Sequence, residues 1–272
     1  KKKGLKMIIL KTEKEIEQMR KAAEILCQTH LAIKEIIRPG ITTNYLDRFA
    51  NKFIAYKKAI PAQLGYQGFP YTLCISVNDE ICHGFPSDYV LKEGDVVSID
   101  NVINLDGGLA DSCRTYKIGK LSEENERLVD VNLKALYKGI EQAVVGNRIG
   151  DIGHAIQTYV EDENGFSVIR DFIGHGIGEE MHEDPQVPHY GRAGFGPRIQ
   201  ENMVFTIEPM ICVGDWHSKL DSNGWTARTK DGSICSQFEH QIVIRKDGPE
   251  ILTDQAKYSL TEEELKFIEK YK

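Results

Sequence analysis

The sequence predicts a mixed α+β fold made of two related halves. Three observations carry that expectation. The local patterns run helix, helix, strands, and then repeat that order. Each half carries a His-Gly element, "CHGFP" at 82–86 and "GHGIG" at 174–178. No low-complexity stretch separates the halves, and 272 residues of which 41% are hydrophobic can bury one full core. One compact domain with internal pseudo-symmetry is therefore expected.

Thr12 with Glu15 reads as a capping box. Behind it Ile16, Met19, Ala23, Leu26 and Ile33 recur at near-helical spacing until Pro39-Gly40 stops the pattern. A second helix is expected from about Thr43 to Tyr56. Strands follow in "YTLCISVN" (71–78) and "DVVSIDNVI" (95–103), rich in β-branched residues. Ser122 opens a third helix to about Val145, and Asp151 a fourth to about Glu161. Strands return at 203–208 and 241–245. Thr261 and Glu264 cap a last helix.

Composition excludes several classes. A net charge of −7 argues against nucleic acid as the main partner. The apolar runs are only a few residues long, far from the roughly 20 that a membrane helix needs. Lys1–Lys3 form a basic triplet without the apolar stretch of a secretory signal behind it, and a first residue other than Met leaves room for removed upstream residues. Cys27, Cys74, Cys82, Cys113, Cys212 and Cys235 form no C-x-x-C pair, so they read as buried thiols of a reducing compartment and not as a zinc knuckle.

The hairpin "VVSIDNVINLDGGLADSCRTY" (96–116) places acids together. Asp106-Gly107 is a strong two-residue turn. That turn pairs Leu105 with Gly108 and sets Asp111 opposite Val102, two residues from Asp100. The two carboxylates then share a face as diagonal neighbours. A three-residue loop would break this parity. Glu208 ends "MVFTIEP", and Glu239 lies in "CSQFEHQIVI". Carboxylates in apolar strands need a cation or a specific partner. Four carboxylates with an imidazole make an oxygen-rich set suited to two divalent ions, with manganese, iron, cobalt or zinc matching its hardness.

"RDFIGHGIGEEMHEDPQVPHY" (170–190) holds His175 and His182 among glycines 174, 176 and 178. Those glycines and Pro185 argue against a helix, so the stretch is not the i, i+4 histidine pair of a zinc protease. It reads as an irregular loop that lets backbone approach something closely.

Together these segments resemble the type I methionine aminopeptidases, metallopeptidases of the pita-bread fold. The resemblance runs from about residue 12 to 254. It rests on "GYQGFPYTLCISVNDEICHGFP", "GDVVSID", "DSCRTY", "GHGIGEEMHEDPQVPHY", "MVFTIEPM" and "SQFEHQIVI", in order and with suitable gaps. It implies a curved antiparallel sheet with helices on its outer face, spanning residues 12–272 as one catalytic domain after an N-terminal extension of residues 1–11. It implies five metal ligands, Asp100, Asp111, His175, Glu208 and Glu239, with Asp111 and Glu239 bridging two ions (cobalt, manganese, iron(II), zinc or nickel). His83 and His182 would face the substrate. His30, His154, His189, His217 and His240 occupy no family ligand position.

The resemblance further implies removal of the initiator methionine from nascent chains with a small second residue. Water activated between the ions attacks the first carbonyl. Glu208 carries its proton to the leaving amine, His182 stabilises the oxyanion and His83 holds the leaving nitrogen. Tyr66, Phe69, Cys74, Met181 and Trp225 match the methionine pocket. The implied protein is a cytoplasmic monomer with ribosome contact, and neither nucleic acid nor membrane is a partner in its own right. The sequence departs from the family at Gln67, Met181, Asn101 and the "GGLA" before Asp111, which bears on fine specificity and not on the reaction. His182 and Glu208 are too close in sequence for the long insertion of type II members. Two rivals compete: an Xaa-Pro aminopeptidase or prolidase, for whose extra N-terminal domain this chain has no room, and a non-catalytic binding protein, whose relatives usually lose ligands.

Overall fold

The computed structural model describes residues 7–272, so the Lys1–Lys3 triplet and most of the segment set apart as residues 1–11 lie outside it. The chain runs α1 (Glu13–Ile36), α2 (Thr43–Tyr56), β1 (Ile60–Pro61), β2 (Cys74–Val77), β3 (Glu80–Cys82), β4 (Val96–Leu105), β5 (Gly108–Lys117), α3 (Glu123–Glu141) and α4 (Ile149–Gln157). It continues with β6 (Ser167–Val168), β7 (Gly174–Gly176), β8 (Glu183–Val187), β9 (Val204–Ile207), β10 (Met210–Cys212), β11 (Ser218–Leu220) and β12 (Ala227–Thr229). It closes with β13 (Cys235–Gln237), β14 (His240–Arg245), β15 (Gly248–Ile251) and α5 (Glu262–Glu269). The helix-pair-then-strands order thus occurs twice.

The N-terminal half is organised by the β4–β5 hairpin. Its register pairs Leu105 with Gly108 and Val102 with Asp111, as the Asp106-Gly107 turn predicts. Asp106 and Gly107 have φ of 49° and 90°, the left-handed pair such a turn requires. β2 and β1 pair antiparallel with β4. On the outer face, α1 buries Ile16, Met19, Ala23, Leu26 and Ile33, and α2 buries Phe49 and Phe53. Each of these side chains other than Ala23 contributes about 1.5–3 kcal/mol on leaving water. The C-terminal half centres on a five-stranded sheet in the order β15-β14-β9-β7-β8, with every pairing antiparallel. α3 and α4 cover it through Leu128, Leu136, Ile152 and Ile156. An antiparallel bridge between Cys113 and Glu239 stitches the halves, with the Glu239 N–H donating to the Cys113 carbonyl at 2.8 Å.

Several elements differ from expectation. At α1 the Thr12 hydroxyl accepts the Glu15 N–H, but it also donates to the Glu15 carboxylate, so the reciprocal half of the capping box is replaced. The box at α5 is complete. α3 stops at Glu141 instead of Val145, where the chain turns through Gly146 at φ 95°. α4 starts at Ile149, and Asp151 is its third residue, accepting the Arg148 N–H at 2.7 Å. Its continuation, Thr158–Glu163, is π-helical. The stretch read as an irregular loop contains β7 and β8, joined with a bulge between His175 and Gly176. The glycines do serve close backbone approach: a Cβ on Gly174 would lie 2.3 Å from the Thr206 carbonyl oxygen, and one on Gly176 2.1 Å from that of Asp184. Among the described residues no helix is long and apolar enough to cross a membrane. All six cysteines are free and buried.

Candidate metal centre

Five side chains meet where the halves join. Asp100 on β4 sits opposite Cys113, and Cys113 bridges to Glu239, so these lie in one cross-strand row. Asp111 enters from β5 on the same face, because it pairs with Val102, two residues along from Asp100. His240 pairs with Ile207. Glu239 and Glu208 are the next residues beyond that pair, and so come together from the other half. His175 arrives on β7, its N–H held by the Thr206 hydroxyl at 3.1 Å.

The His175 Nε2 lies 3.4 Å from Asp111 Oδ2 and 3.3 Å from Glu208 Oε1. Its Nδ1 lies 2.9 Å from the Gly176 carbonyl. A proton assigned to Nδ1 is donated there, which turns Nε2 towards the acids. Ligating atoms of Asp111, His175 and Glu239 all fall within 4.8 Å of one another. Asp100 Oδ1, Asp111 Oδ1 and both Glu239 carboxylate oxygens are buried without a hydrogen-bond partner. Buried carboxylate oxygens aimed at one another without donors are costly. They are the donor set that a divalent cation needs, hard oxygens with one borderline nitrogen. The residues therefore fit a metal.

The electrostatics agree. Burial, then the charge of Asp111, pushes Asp100 and Glu239 well above the carboxylate range. Burial lifts Glu208 to about 7, with His175 opposing. At Asp111 burial works upward too, but the His175 contact outweighs it and holds the carboxyl low. Burial pulls His175 down, yet the same acids raise it to about 9. With protein groups alone, protons must neutralise the cluster; a bound cation displaces them.

A cavity of about 450 Å³ opens over this cluster. Tyr66, Phe69, Cys74, Met181 and Trp225 all line it, as do His83 and His182. Phe69 and Trp225 meet edge to face at 5.3 Å, making an apolar wall. His83 stands on the strained left-handed backbone at φ 55°, its ring edge-on to Phe172 and Trp225. Gly84 follows because a Cβ there would meet the Ile75 carbonyl oxygen at 2.2 Å. The His182 ring is 4.3 Å from that of His175, and its Nδ1 lies 2.9 Å from the Tyr66 hydroxyl. Desolvation within the cavity and the neighbouring His175 push His182 down to about 4, so it is neutral at pH 7. A Tyr66 hydroxyl that donates to Nδ1 assigns the His182 proton to Nε2.

Sequence reasoning missed the residues that hold the acids. Thr206 donates to Glu208 Oε1 at 3.0 Å and Gln237 to Glu208 Oε2 at 3.1 Å. Gln241 accepts the Asp111 N–H at 2.9 Å. Their signal is period two: Thr206 precedes Glu208 by two, and Gln237 and Gln241 flank Glu239 by two, which places such residues on one strand face. Buried His189 accepts the Glu208 N–H at 3.0 Å. Of the other histidines at no family ligand position, buried His30 contacts the Tyr116 hydroxyl and the Ser112 carbonyl, and buried His240 contacts the Thr253 hydroxyl. His154 and His217 lie outside the cavity lining.

The model for metallopeptidase family M24 matches residues 17–246. A methionine aminopeptidase of Clostridium perfringens is 51% identical over 247 residues, covering 91% of this chain and 99% of the relative. Methionine aminopeptidase 1 of Bacillus subtilis is 47% identical over 247 residues, with the same two coverages. The crystal structure of the Rickettsia prowazekii methionine aminopeptidase superposes with a TM-score of 0.89 at 44% identity, covering 91% of this chain and all of that one (100%). The prolidase of Pyrococcus furiosus superposes at 0.72 with 23% identity, covering 90% of this chain and 65% of the prolidase, a likeness of fold alone.

Proposed function

The chain belongs to metallopeptidase family M24, within it to the methionine aminopeptidases of the pita-bread fold, and on that premise we propose how its residues work. In this reading Asp100, Asp111, His175, Glu208 and Glu239 would hold two divalent ions, Asp111 and Glu239 serving both. The observation that carries it is the set of four buried carboxylate oxygens without partners beside His175. Manganese, iron(II), cobalt, zinc and nickel all suit such donors. When bound, the ions lower the pKa of water and polarise the first peptide carbonyl.

The residues supply the rest. Tyr66, Phe69, Cys74, Met181 and Trp225 enclose an unbranched thioether, whose polarisable sulfur suits aromatic edges. The carboxylates attract the substrate's free α-amine. Glu208, held by Thr206 and Gln237, takes the proton of the attacking water and returns it to the leaving amine. His182, neutral with its proton on Nε2, donates to the developing oxyanion. His83 holds the departing nitrogen. The substrates are N-termini of nascent chains that begin with methionine followed by a small residue. The enzyme acts in the cytoplasm, as a monomer in contact with ribosomes, and residues 12–272 form one catalytic domain.

The test is methionine release from Met-Ala-Ser and Met-Leu-Ser peptides, alongside a peptide with proline second, on chelator-stripped protein with each metal added back. Release from Met-Ala-Ser and little from Met-Leu-Ser is expected. Preference for cleavage before proline would replace this reading with the prolidase one.

A further inference from the structure

We propose that Lys11 is a positioning residue for His182, an inference that rests on the catalytic reading of His182 given above. Lys11 is 4% exposed, an extreme value for a lysine. Its Nζ lies 2.6 Å from Glu183 Oε2, and the pair is almost wholly enclosed. Its own N–H donates to the Asn202 carbonyl at 2.9 Å, so the backbone around it is fixed as well as the side chain. Gly178 makes room: a Cβ there would sit 2.4 Å from Lys11 Nζ and 2.8 Å from Glu183 Oε1.

Glu183 does more than neutralise the ammonium. Its other oxygen accepts the Glu180 N–H at 3.2 Å, and the Gly178 N–H donates to the Glu180 carbonyl at 3.1 Å. The turn 178–183 is thereby closed around the ion pair. That turn carries Met181 and His182, which both face the substrate cavity, and Glu183 itself lines it. His182 is then held from two sides. Tyr66 fixes the ring at Nδ1, and Lys11 fixes the next residue of its backbone through Glu183. Removing the ammonium would leave the largely enclosed Glu183 Oε2 without its cation, and the turn would rearrange to hydrate it. The residue that sets the oxyanion donor thus lies more than 170 positions away, just ahead of α1.

The test uses the full chain loaded with manganese, as wild type, Lys11→Met, His182→Ala and the double variant. Lys11→Met should lower kcat on Met-Ala-Ser by on the order of tenfold to a hundredfold, the cost of a misplaced catalytic group. KM and bound manganese should stay within about twofold. In the His182→Ala background the same substitution should change kcat by less than about twofold, because the ring it acts through is gone. Lys11→Arg should recover most of the loss. Equal losses in both backgrounds, loss of manganese, or wild-type kcat in Lys11→Met would each overturn the proposal. If Lys11→Met does not fold, Glu183→Gln carries the same comparison. Imidazole NMR on the chain loaded with diamagnetic zinc in place of manganese gives a reading independent of turnover: the His182 ring signals should shift in Lys11→Met, and unchanged signals would refute the role. A wild type that releases no methionine with any metal, while those signals do shift, would instead defeat the functional reading and leave the positioning intact.

Discussion

Asp111 meets two demands at once. One oxygen faces His175 at 3.4 Å, and the other is buried without a donor. The proposed reading, in which Asp111 serves both ions, answers both, so Asp111→Asn should abolish activity and lower the metal bound per chain, read by elemental analysis after dialysis. Unchanged metal content would remove its shared role. His83 is different: its ring lies edge-on to Phe172 and Trp225. His83→Ala should keep its metal and slow turnover by about a hundredfold, the scale of one lost hydrogen-bond donor at a reacting centre. Loss of metal there would mean that His83 belongs to the metal shell. The acids were legible in the sequence because charged residues inside apolar strands stand out. Thr206, Gln237 and Gln241 were not, since neutral polar residues on strands are common and gain meaning only once Glu208, Glu239 and Asp111 are seen beside them.

Between elements, the contrast lies in how local the determinants are. The β4–β5 register follows from one tight turn, so two residues announce ten pairs of partners. β7 and β8 have no such announcement. The two glycines of β7 weaken strand propensity, and what they make room for, the Thr206 and Asp184 carbonyls, cannot be identified before the chain is folded. The end of α3 was missed for a related reason: Ala143, Val144 and Val145 continue an apolar pattern, although the helix ends at Glu141 and they lie in the turn that runs on through Gly146. Gly176→Ala tests the close approach. Its Cβ would collide with the Asp184 backbone, which cannot move aside as a side chain could. Destabilisation of about 1–3 kcal/mol is expected from urea unfolding, the usual scale of overpacking. An unchanged midpoint would show that β7 has slack, and that the glycine does not hold His175 in place.

Across the whole molecule, the carboxylate cluster ties stability to metal and pH. In chelator-stripped protein Glu208 keeps its proton up to about 7, against an ordinary value of 4.5. The folded state therefore binds more protons than the unfolded chain between those values, and stability should fall as pH rises through that window. His175, raised to about 9, extends the loss: its contribution is complete below 6.5 and disappears as pH rises through 9. Saturating divalent cation should flatten the slope by replacing those protons, in thermal melts at pH 5 and pH 8 with and without manganese. Buried His30, His189 and His240, and His182 in the cavity, all pulled down by desolvation, add an opposing rise in stability up to about 6.5. The readout is therefore the change of slope with manganese, and an unchanged slope would contradict the buried-acid account. The two-half architecture was readable from element order and its repeated His-Gly signal. The Cys113–Glu239 bridge, which joins the halves at the metal centre, has no local signal because it pairs residues far apart in sequence.

The most direct measurement is methionine release from Met-Ala-Ser as manganese is titrated into chelator-stripped protein. The account predicts no release without metal, a rise with added ion that saturates as the five-ligand site fills, and no such rise in Asp111→Asn. Full release from metal-free protein, or an undiminished metal response in Asp111→Asn, would contradict it.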